Sequence, residues 1–525
     1  MGIYVNPGYD GFASVRAGTY VDKSGLIIEV NRTLGTDEKL TCVSRPRRFG
    51  KSFAAKMLCA YFDRTCDSAP LFDDLDVARD PSYGTHLNKY NVIILDLTQM
   101  LQERDETALV PYVKATLLRD LRREFPDIEV GDSLVEALAT AVEVSGAKFV
   151  AVIDEWDAPV RETPDTAHDY FEFLRALFKS SVTTDKVFAG VYMTGILPIR
   201  KSKGQSAVSD FWEYSMLAPG PFAPYAGFLE DDVRNLCEWK GLDFAQMKSW
   251  YDGYEVDTVR SVYNPYAVMR AARFRKYTSY WRQTAAADML LTYIDLDFEG
   301  LQDDVVRLMA GEELEIETGN FQNDVALVES RDDALTLMVH LGYLTFEEDC
   351  EGRGWARIPN YEIRTEFEKV LRRAKHPELM RLVRASDELL EATLALDGEA
   401  VASAVAKVHD SNYAPTFYND EQALRHTVKM AYISATDRYA RVEELPSGHG
   451  LADVVYLPRR RSPLPALVVE LKWDREEGGA IAQIRDRDYA ALPDALCGEV
   501  LLVGISYDAK TKAHACTIER NVLSS

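Results

Sequence analysis

The chain has 525 residues, with 60 Lys and Arg against 84 Asp and Glu and a formal charge of -24. That length exceeds what one compact core accommodates, so two to four domains are expected, and the charge argues against indiscriminate binding to nucleic acid or an anionic membrane. Seven scattered cysteines without C-x-x-C spacing indicate neither zinc site nor disulfide framework, and no export leader or run of eighteen apolar residues is read, so a cytoplasmic protein without a membrane partner is expected.

From residue 1 to 210 short apolar runs alternate with helical patterns. LTCV (40–43), NVIILDL (91–97), FVAVI (149–153) and VFAGVYMTG (187–195) predict strands, while 53–62, 105–124, 132–145 and 168–181 predict helices. This alternation predicts a parallel sheet covered on both faces. Between the first strand and its helix lies SRPRRFGKS (44–52), read as a phosphate-binding loop. Gly50 frees backbone N–H groups to face phosphate, Lys51 reaches the β and γ phosphates, and the Ser52 hydroxyl serves Mg²⁺, at a helix N-terminus that favours an anion. Arg45 stands where G-x-x-x-x-G-K-[ST] has its first glycine, so the full pattern is not met. Arg47, Arg48, Phe49 and Phe53 complete the stretch assigned to the nucleotide. In FVAVIDEWDAP, Asp154 is expected to support the metal and Glu155 to polarise the attacking water. The competing reading is an acid pair that ends a buried strand and caps the next turn.

Residues 211–390 turn helical, with GFLEDDVRNLCEWKG opening a helix and WYDGYEV and VYNPYAV read as aromatic punctuation. Residues 331–371 read helix, strand, turn, strand, helix, a winged-helix-like order. The acids of EEDCEGRG would repel phosphate, which favours a structural or protein-contact wing over a DNA-binding one. Residues 373–400 read as a helical connector.

The region 391–525 carries a second chemistry, and from residue 400 onward 15 Lys and Arg stand against 17 Asp and Glu, a balance of -2, so the acidic excess lies outside that C-terminal quarter. A helix is expected over 419–433 and again at IAQIRDRDYAAL, with strand context around RVEELPSGHGLADVVYLP, PALVVELKW and EVLLVGISY. Glu470 and Lys472, two residues apart on a strand, share a face. With Asp453 they form a D-x(16)-E-x-K pattern. Two carboxylates can share a hard divalent cation while a lysine orients or deprotonates water. The competing reading is a surface salt-bridge set on a strand edge. His449 reads as a turn residue between glycines, and Arg459, Arg460 and Arg461 as a basic hairpin tip that touches DNA backbone or lies in solvent.

YVDKSGLI (20–27), SRPRRFGKS, VIDEWDAP and VYMTGI resemble the AAA-ATPase-like family often fused to a PD-(D/E)xK nuclease domain, in which an arginine-rich loop lacking the first glycine is usual. The resemblance implies a P-loop ATPase domain at 1–210, a helical lid and winged-helix-like region at 211–390, and a restriction-endonuclease-like α/β domain at 391–525. It places Thr194 like the polar sensor of AAA-type enzymes, against a plain strand-end hydroxyl, and Arg200 and Lys201 as transition-state cations, against a solvated loop. It adds Gln483, with Tyr489 six residues on, beside the metal or scissile phosphate, and Glu421 as the nearest upstream acid for a further ligand, against the favoured reading of a solvated acid at a helix start. The expected ligands are ATP and Mg²⁺, with Mn²⁺ also accepted at the nuclease site, and nucleic acid, DNA first, as the C-terminal partner. Self-association is left open, because an arginine could complete its own site or a neighbour's. The main reading is an ATPase coupled to a metal-dependent nuclease, a fusion suggestive of defence or mobile-element processing. The rival is a nucleotide-dependent signalling or scaffold protein whose nuclease-like domain binds without cutting.

Overall fold

The structure is a computed structural model and describes residues 2–104, 108–126, 131–179, 181–199, 210–281, 300–321, 328–349, 351–373, 377–412, 424–425, 427–428, 431–432, 435, 439–447, 450–458, 464–473, 498–508 and 510–523. Contacts divide the chain into two compact units, Met1–Arg282 with Glu315–Ile363, and Gln283–Leu314 with Arg364–Ser525.

In the first unit, β1 (Leu40–Ser44), β2 (Asn91–Asp96), β3 (Phe149–Asp154), β4 (Phe188–Gly195) and β5 (Trp212–Tyr214) form a parallel sheet in the order β2-β3-β4-β1-β5. Alternation along each strand supplies two cores. Ile93, Leu95, Ala151, Ile153, Val191 and Met193 join one, with the helices Leu109–Glu124, Leu134–Ser145 and Ala167–Phe178. Val43, Val92, Val150, Val152, Ala189 and Tyr192 join the other, with helices α1 (Asp10–Arg16), α2 (Gly25–Thr33) and α3 (Lys51–Phe62). Because both faces are covered, the first four strands read in sequence as unbroken apolar runs. This parallel five-stranded sheet fits a P-loop NTPase fold.

Two sequence expectations need revision here. The helix expected over 105–124 begins at Leu109 and is preceded by a separate helix, Leu97–Glu103, whose N-terminus is capped by Asp96 accepting the Gln99 N–H at 3.0 Å. The aromatic punctuation of 250–268 contains a hairpin, β6 (Tyr254–Val256) with β7 (Val259–Val262). Tyr254, Val256 and Val262 are fully buried, and Asp257 takes the left-handed conformation that a tight turn requires. Helices Glu230–Lys240, Phe244–Tyr251 and Pro265–Phe274 surround it in sequence; the last starts with Asn264 as cap and Pro265 in its first turn.

After a short strand β8 (Leu314–Ile316), the helix Arg331–Leu341, β9 (Thr345–Glu348), β10 (Gly354–Arg357) and the helix Tyr361–Arg373 follow in the order read from the sequence. The hairpin is fastened to β6: Tyr254 Oη donates to Gly342 O at 2.7 Å, Thr345 Oγ1 accepts the Glu255 N–H at 2.8 Å, and Arg357 pairs with Glu255 at 2.9 Å.

In the second unit, β11 (Tyr439–Ser447), β12 (Gly450–Pro458), β13 (Ala466–Trp473), β14 (Gly498–Asp508) and β15 (Ala513–Leu523) form a mixed sheet in chain order. Neighbours are antiparallel except β13 and β14, which run parallel. Among the described residues no helix is long and apolar enough to cross a membrane.

Candidate nucleotide site and C-terminal acid site

The first site lies at the carboxyl ends of the parallel strands. β1 ends at Ser44, and α3 starts at Lys51 after a six-residue loop. Gly50 sits at φ 88°, where a side chain costs about 1–2 kcal/mol, so glycine is required by the backbone before any ligand is considered. Arg48 also takes a positive φ, 71°, and is held there: its Nη1 donates to Tyr280 O at 2.7 Å and its guanidinium lies 4.6 Å from the Tyr266 ring centroid. Lys51 folds back over the loop, Nζ donating to Arg45 O and Pro46 O at 3.1 Å each and standing 3.5 Å from Glu155 Oε1.

Strand register brings the acids to the loop. Asp96 pairs with Asp154, Asp154 with Thr194, and Thr194 with Val43, one rung across the sheet. Val43, Val152 and Tyr192 face the core that contains α3, and strand alternation puts Asp154 and Thr194 on that same side. Asp154 is 3% exposed, and burial pushes its carboxyl up to about 6; the Ser52 hydrogen bond and Lys51 oppose that rise, and the Glu155 charge adds to it. Thr194 Oγ1 is buried without a hydrogen-bond partner.

The turn after β3 aims Glu155, whose φ of 52° is left-handed. Arg161 Nη2 lies 3.3 Å from Glu155 Oε2, and its Nε donates to Asp157 at 2.8 Å. Asp157 in turn accepts the N–H groups of Ile196 (3.2 Å) and Leu197 (3.1 Å), tying the acidic turn to the segment after β4. A Cβ on Gly195 would stand 2.6 Å from both Asp157 Oδ1 and Trp156 Cδ1, so only glycine fits there. Sequence reasoning missed Asp157 and Arg161, although their i,i+4 spacing in DEWDAPVR was a usable signal.

The structure thus brings Gly50, Lys51, Ser52, Asp154, Glu155 and Thr194 together. The side chains of Arg48 and Phe49 are used otherwise: Arg48 as above, and Phe49 buried edge-on against Tyr254 with ring centroids 5.1 Å apart. Phe53 is 57% exposed in the first turn of α3, and Arg47 is half-buried. Arg45, in place of a glycine, is buried as a brace. Its Nη1 donates to Ser44 O (2.8 Å) and Tyr214 O (3.2 Å), its N–H to Gly195 O, and burial lowers its guanidinium to about 10. Arg200 and Lys201 lie outside the described residues. An ammonium, a hydroxyl, a desolvated carboxylate and an orphaned hydroxyl at one helix N-terminus suit a magnesium-bound polyphosphate.

In the second unit, β12 and β13 pair Val454 with Val469; continuing that register by one residue sets Asp453 opposite Glu470. Asp453, Glu470 and Lys472 are all buried, at 8%, 0% and 9% exposure, and β13 is an interior strand. A surface salt-bridge set on a strand edge is therefore excluded. Both Asp453 oxygens are engaged: Oδ1 with Arg425 Nη2 at 2.7 Å and Oδ2 with the Leu471 N–H at 2.9 Å. Arg425 was not anticipated. Gln483, Tyr489, Glu421, His449 and Arg459 to Arg461 lie outside the described residues, as does IAQIRDRDYAAL, and the helix expected over 419–433 is described only in part. Among the described residues no group of three or more His, Cys, Asp or Glu is placed to hold a metal. Those residues alone do not make a metal centre while Arg425 neutralises Asp453.

Residues 8–203 match the family AAA-ATPase-like, described as predicted AAA-ATPase. Among solved structures, the chain is similar to the ORC2 protein of Aeropyrum pernix in ADPNP–ADP complexes, with 11% identity over 68% of this chain and 96% of that one and a TM-score of 0.30. It is also similar to the ORC1 protein of Aeropyrum pernix in complex with DNA, with 12% identity over 73% of this chain and all (100%) of that one and a TM-score of 0.26. No curated protein matches the chain.

Proposed function

We propose that the chain binds and hydrolyses ATP at the carboxyl edge of the parallel sheet and that its C-terminal sheet acts on nucleic acid. The observation that carries the first part is the convergence of Lys51, Ser52 and Asp154 beside Thr194 Oγ1, a buried hydroxyl with no partner. A hydroxyl so placed is costly unless something arrives to bond it. Lys51 now bonds two loop carbonyls and would exchange them for phosphate oxygens. Ser52 and Asp154 would hold Mg²⁺, which when bound neutralises charge between the phosphates. Glu155, oriented by Arg161, is the base that takes a proton from the attacking water.

For the C-terminal site the favoured reading is a metal-dependent nuclease, resting on the register that, continued by one residue from Val454–Val469, sets Asp453 opposite Glu470, and on Lys472 one alternation further along the same strand. Mg²⁺ or Mn²⁺ would be held by the two acids once Asp453 exchanges Arg425 for the ion. The Asp453–Arg425 pair also favours a second reading, a site that binds nucleic acid without cutting. Plasmid and single-stranded DNA incubated with wild type, Glu470→Ala and Lys472→Ala, with metal or EDTA and with or without ATP, separate the two. Metal-dependent cutting lost in both variants supports the nuclease, whereas binding without cutting supports the second reading. Cutting that survives EDTA or Glu470→Ala contradicts the assignment.

A further inference from the structure

Between Asp257 and Asp288 the sequence holds six cations and no acid, in a chain whose acids outnumber its bases by 84 to 60. The described part of this stretch is interleaved with aromatic rings. Arg48, from the phosphate loop, and Arg270 lie 4.6 and 4.9 Å from the Tyr266 ring centroid, and Arg270 also lies 5.7 Å from that of Phe274. Phe274 stacks on Tyr280 at 6.4 Å and 21°. Beyond this ladder Arg273, Phe274, Arg275 and Lys276 are consecutive exposed residues where the helix Pro265–Phe274 ends. Arg275, left-handed at φ 51°, donates to Lys240 O (2.7 Å) and Gly241 O (3.3 Å). It thereby joins this surface to Trp239, an indole 64% exposed with Lys240 3.6 Å above its ring.

We propose that this surface binds single-stranded nucleic acid. A local cluster of cations in an acidic protein needs a polyanion to explain it, and a folded acidic partner would have no use for exposed rings. Phe274, 55% exposed, and Trp239 offer ring surface on which unpaired bases stack, while Arg273 and Lys276 reach the backbone phosphates. Pre-stacked arginines hold the rings in place at little entropic cost on binding. Duplex DNA, whose bases are already stacked, gains only the phosphate contacts. The proposal draws only on residues of the first unit and stands whether or not the Asp453 site cuts.

The test is fluorescence anisotropy of a fluorescein-labelled oligothymidine of about twenty nucleotides with the full chain in EDTA, across a salt series. Phe274→Ala is expected to weaken binding by about 5- to 100-fold. Arg273→Ala with Lys276→Ala should flatten the slope of log K against log salt by about 1.4, two phosphate contacts at single-strand values. All three residues are exposed, so melting temperatures should stay near wild type for Arg273→Ala with Lys276→Ala and fall only by the lost Tyr280 and Arg270 ring contacts for Phe274→Ala. Unchanged affinity and slope in these variants, equal competition by duplex, or displacement by polyglutamate at equal charge concentration would each overturn the proposal.

Discussion

Lys51 Nζ stands 3.5 Å from Glu155 Oε1 while donating to two carbonyls of its own loop, so the cation proposed to meet the phosphates and the acid proposed to act as base are in contact with each other. Drawing Lys51 to phosphate would free Glu155 to turn towards water, which links binding to the arming of the base.

Lys51→Ala is accordingly expected to abolish calorimetrically detectable ATP binding. On the proposed reading Lys51 supplies the point charge for the β and γ phosphates, and Arg45, a basic alternative in the loop, is locked onto Ser44 O and Tyr214 O. Affinity within about threefold of wild type would mean that the loop is not the nucleotide site.

Asp154 carries a pH signature. Its carboxyl is raised to about 6 from 3.8, chiefly by burial. The neutral form is the one the fold favours, so this stabilisation is complete below about pH 3.8 and is lost as pH rises through about 6. Near pH 7.5 the ligand-free protein therefore holds a desolvated charge, and Asp154→Asn should stabilise it by about 1–3 kcal/mol in thermal melts, the gain shrinking towards zero near pH 4. The same variant should weaken magnesium-dependent ATP binding. Destabilisation near pH 7.5 would show that the carboxylate is already compensated.

Asp157→Ala removes the acceptor for Arg161, Ile196 and Leu197 at once and leaves a largely buried guanidinium with only the longer contacts to Glu155 and Glu162. A loss of about 3–5 kcal/mol in denaturant unfolding is expected, with a fall in turnover because Glu155 loses its oriented neighbour. A loss under 1 kcal/mol, about what an exposed pair costs, would remove the network from the account.

At the C-terminal site Arg425→Ala leaves Asp453 buried without its counter-ion. The expected loss of about 3 kcal/mol in metal-free buffer should be partly recovered by millimolar Mg²⁺ or Mn²⁺, because a bound cation replaces the guanidinium. The same loss with and without metal would argue that Asp453 is not a ligand.

The features that physical chemistry makes local were readable from the chain. β1 to β4 are buried on both faces and so appear as unbroken apolar runs, and Gly50-Lys51-Ser52 with Asp154-Glu155 announces itself within two short stretches. β5 has three residues, with Trp212 47% exposed, and exists through pairing with β1, so no local pattern marks it. The β6–β7 hairpin was hidden because its strands are three and four residues long around a non-glycine left-handed turn. Arg425 meets Asp453 from 28 residues away in sequence, and the Arg48–Tyr280 bond spans 232, distances at which no spacing rule applies.

The most direct measurement is phosphate release from magnesium-bound ATP by wild type and Glu155→Gln, at protein concentrations where calorimetry shows both saturated. Equal affinity and a fall in turnover of at least about a hundredfold are expected, because the substitution keeps the shape of the side chain and removes the proposed base. Hydrolysis by Glu155→Gln at the wild-type rate would contradict that assignment.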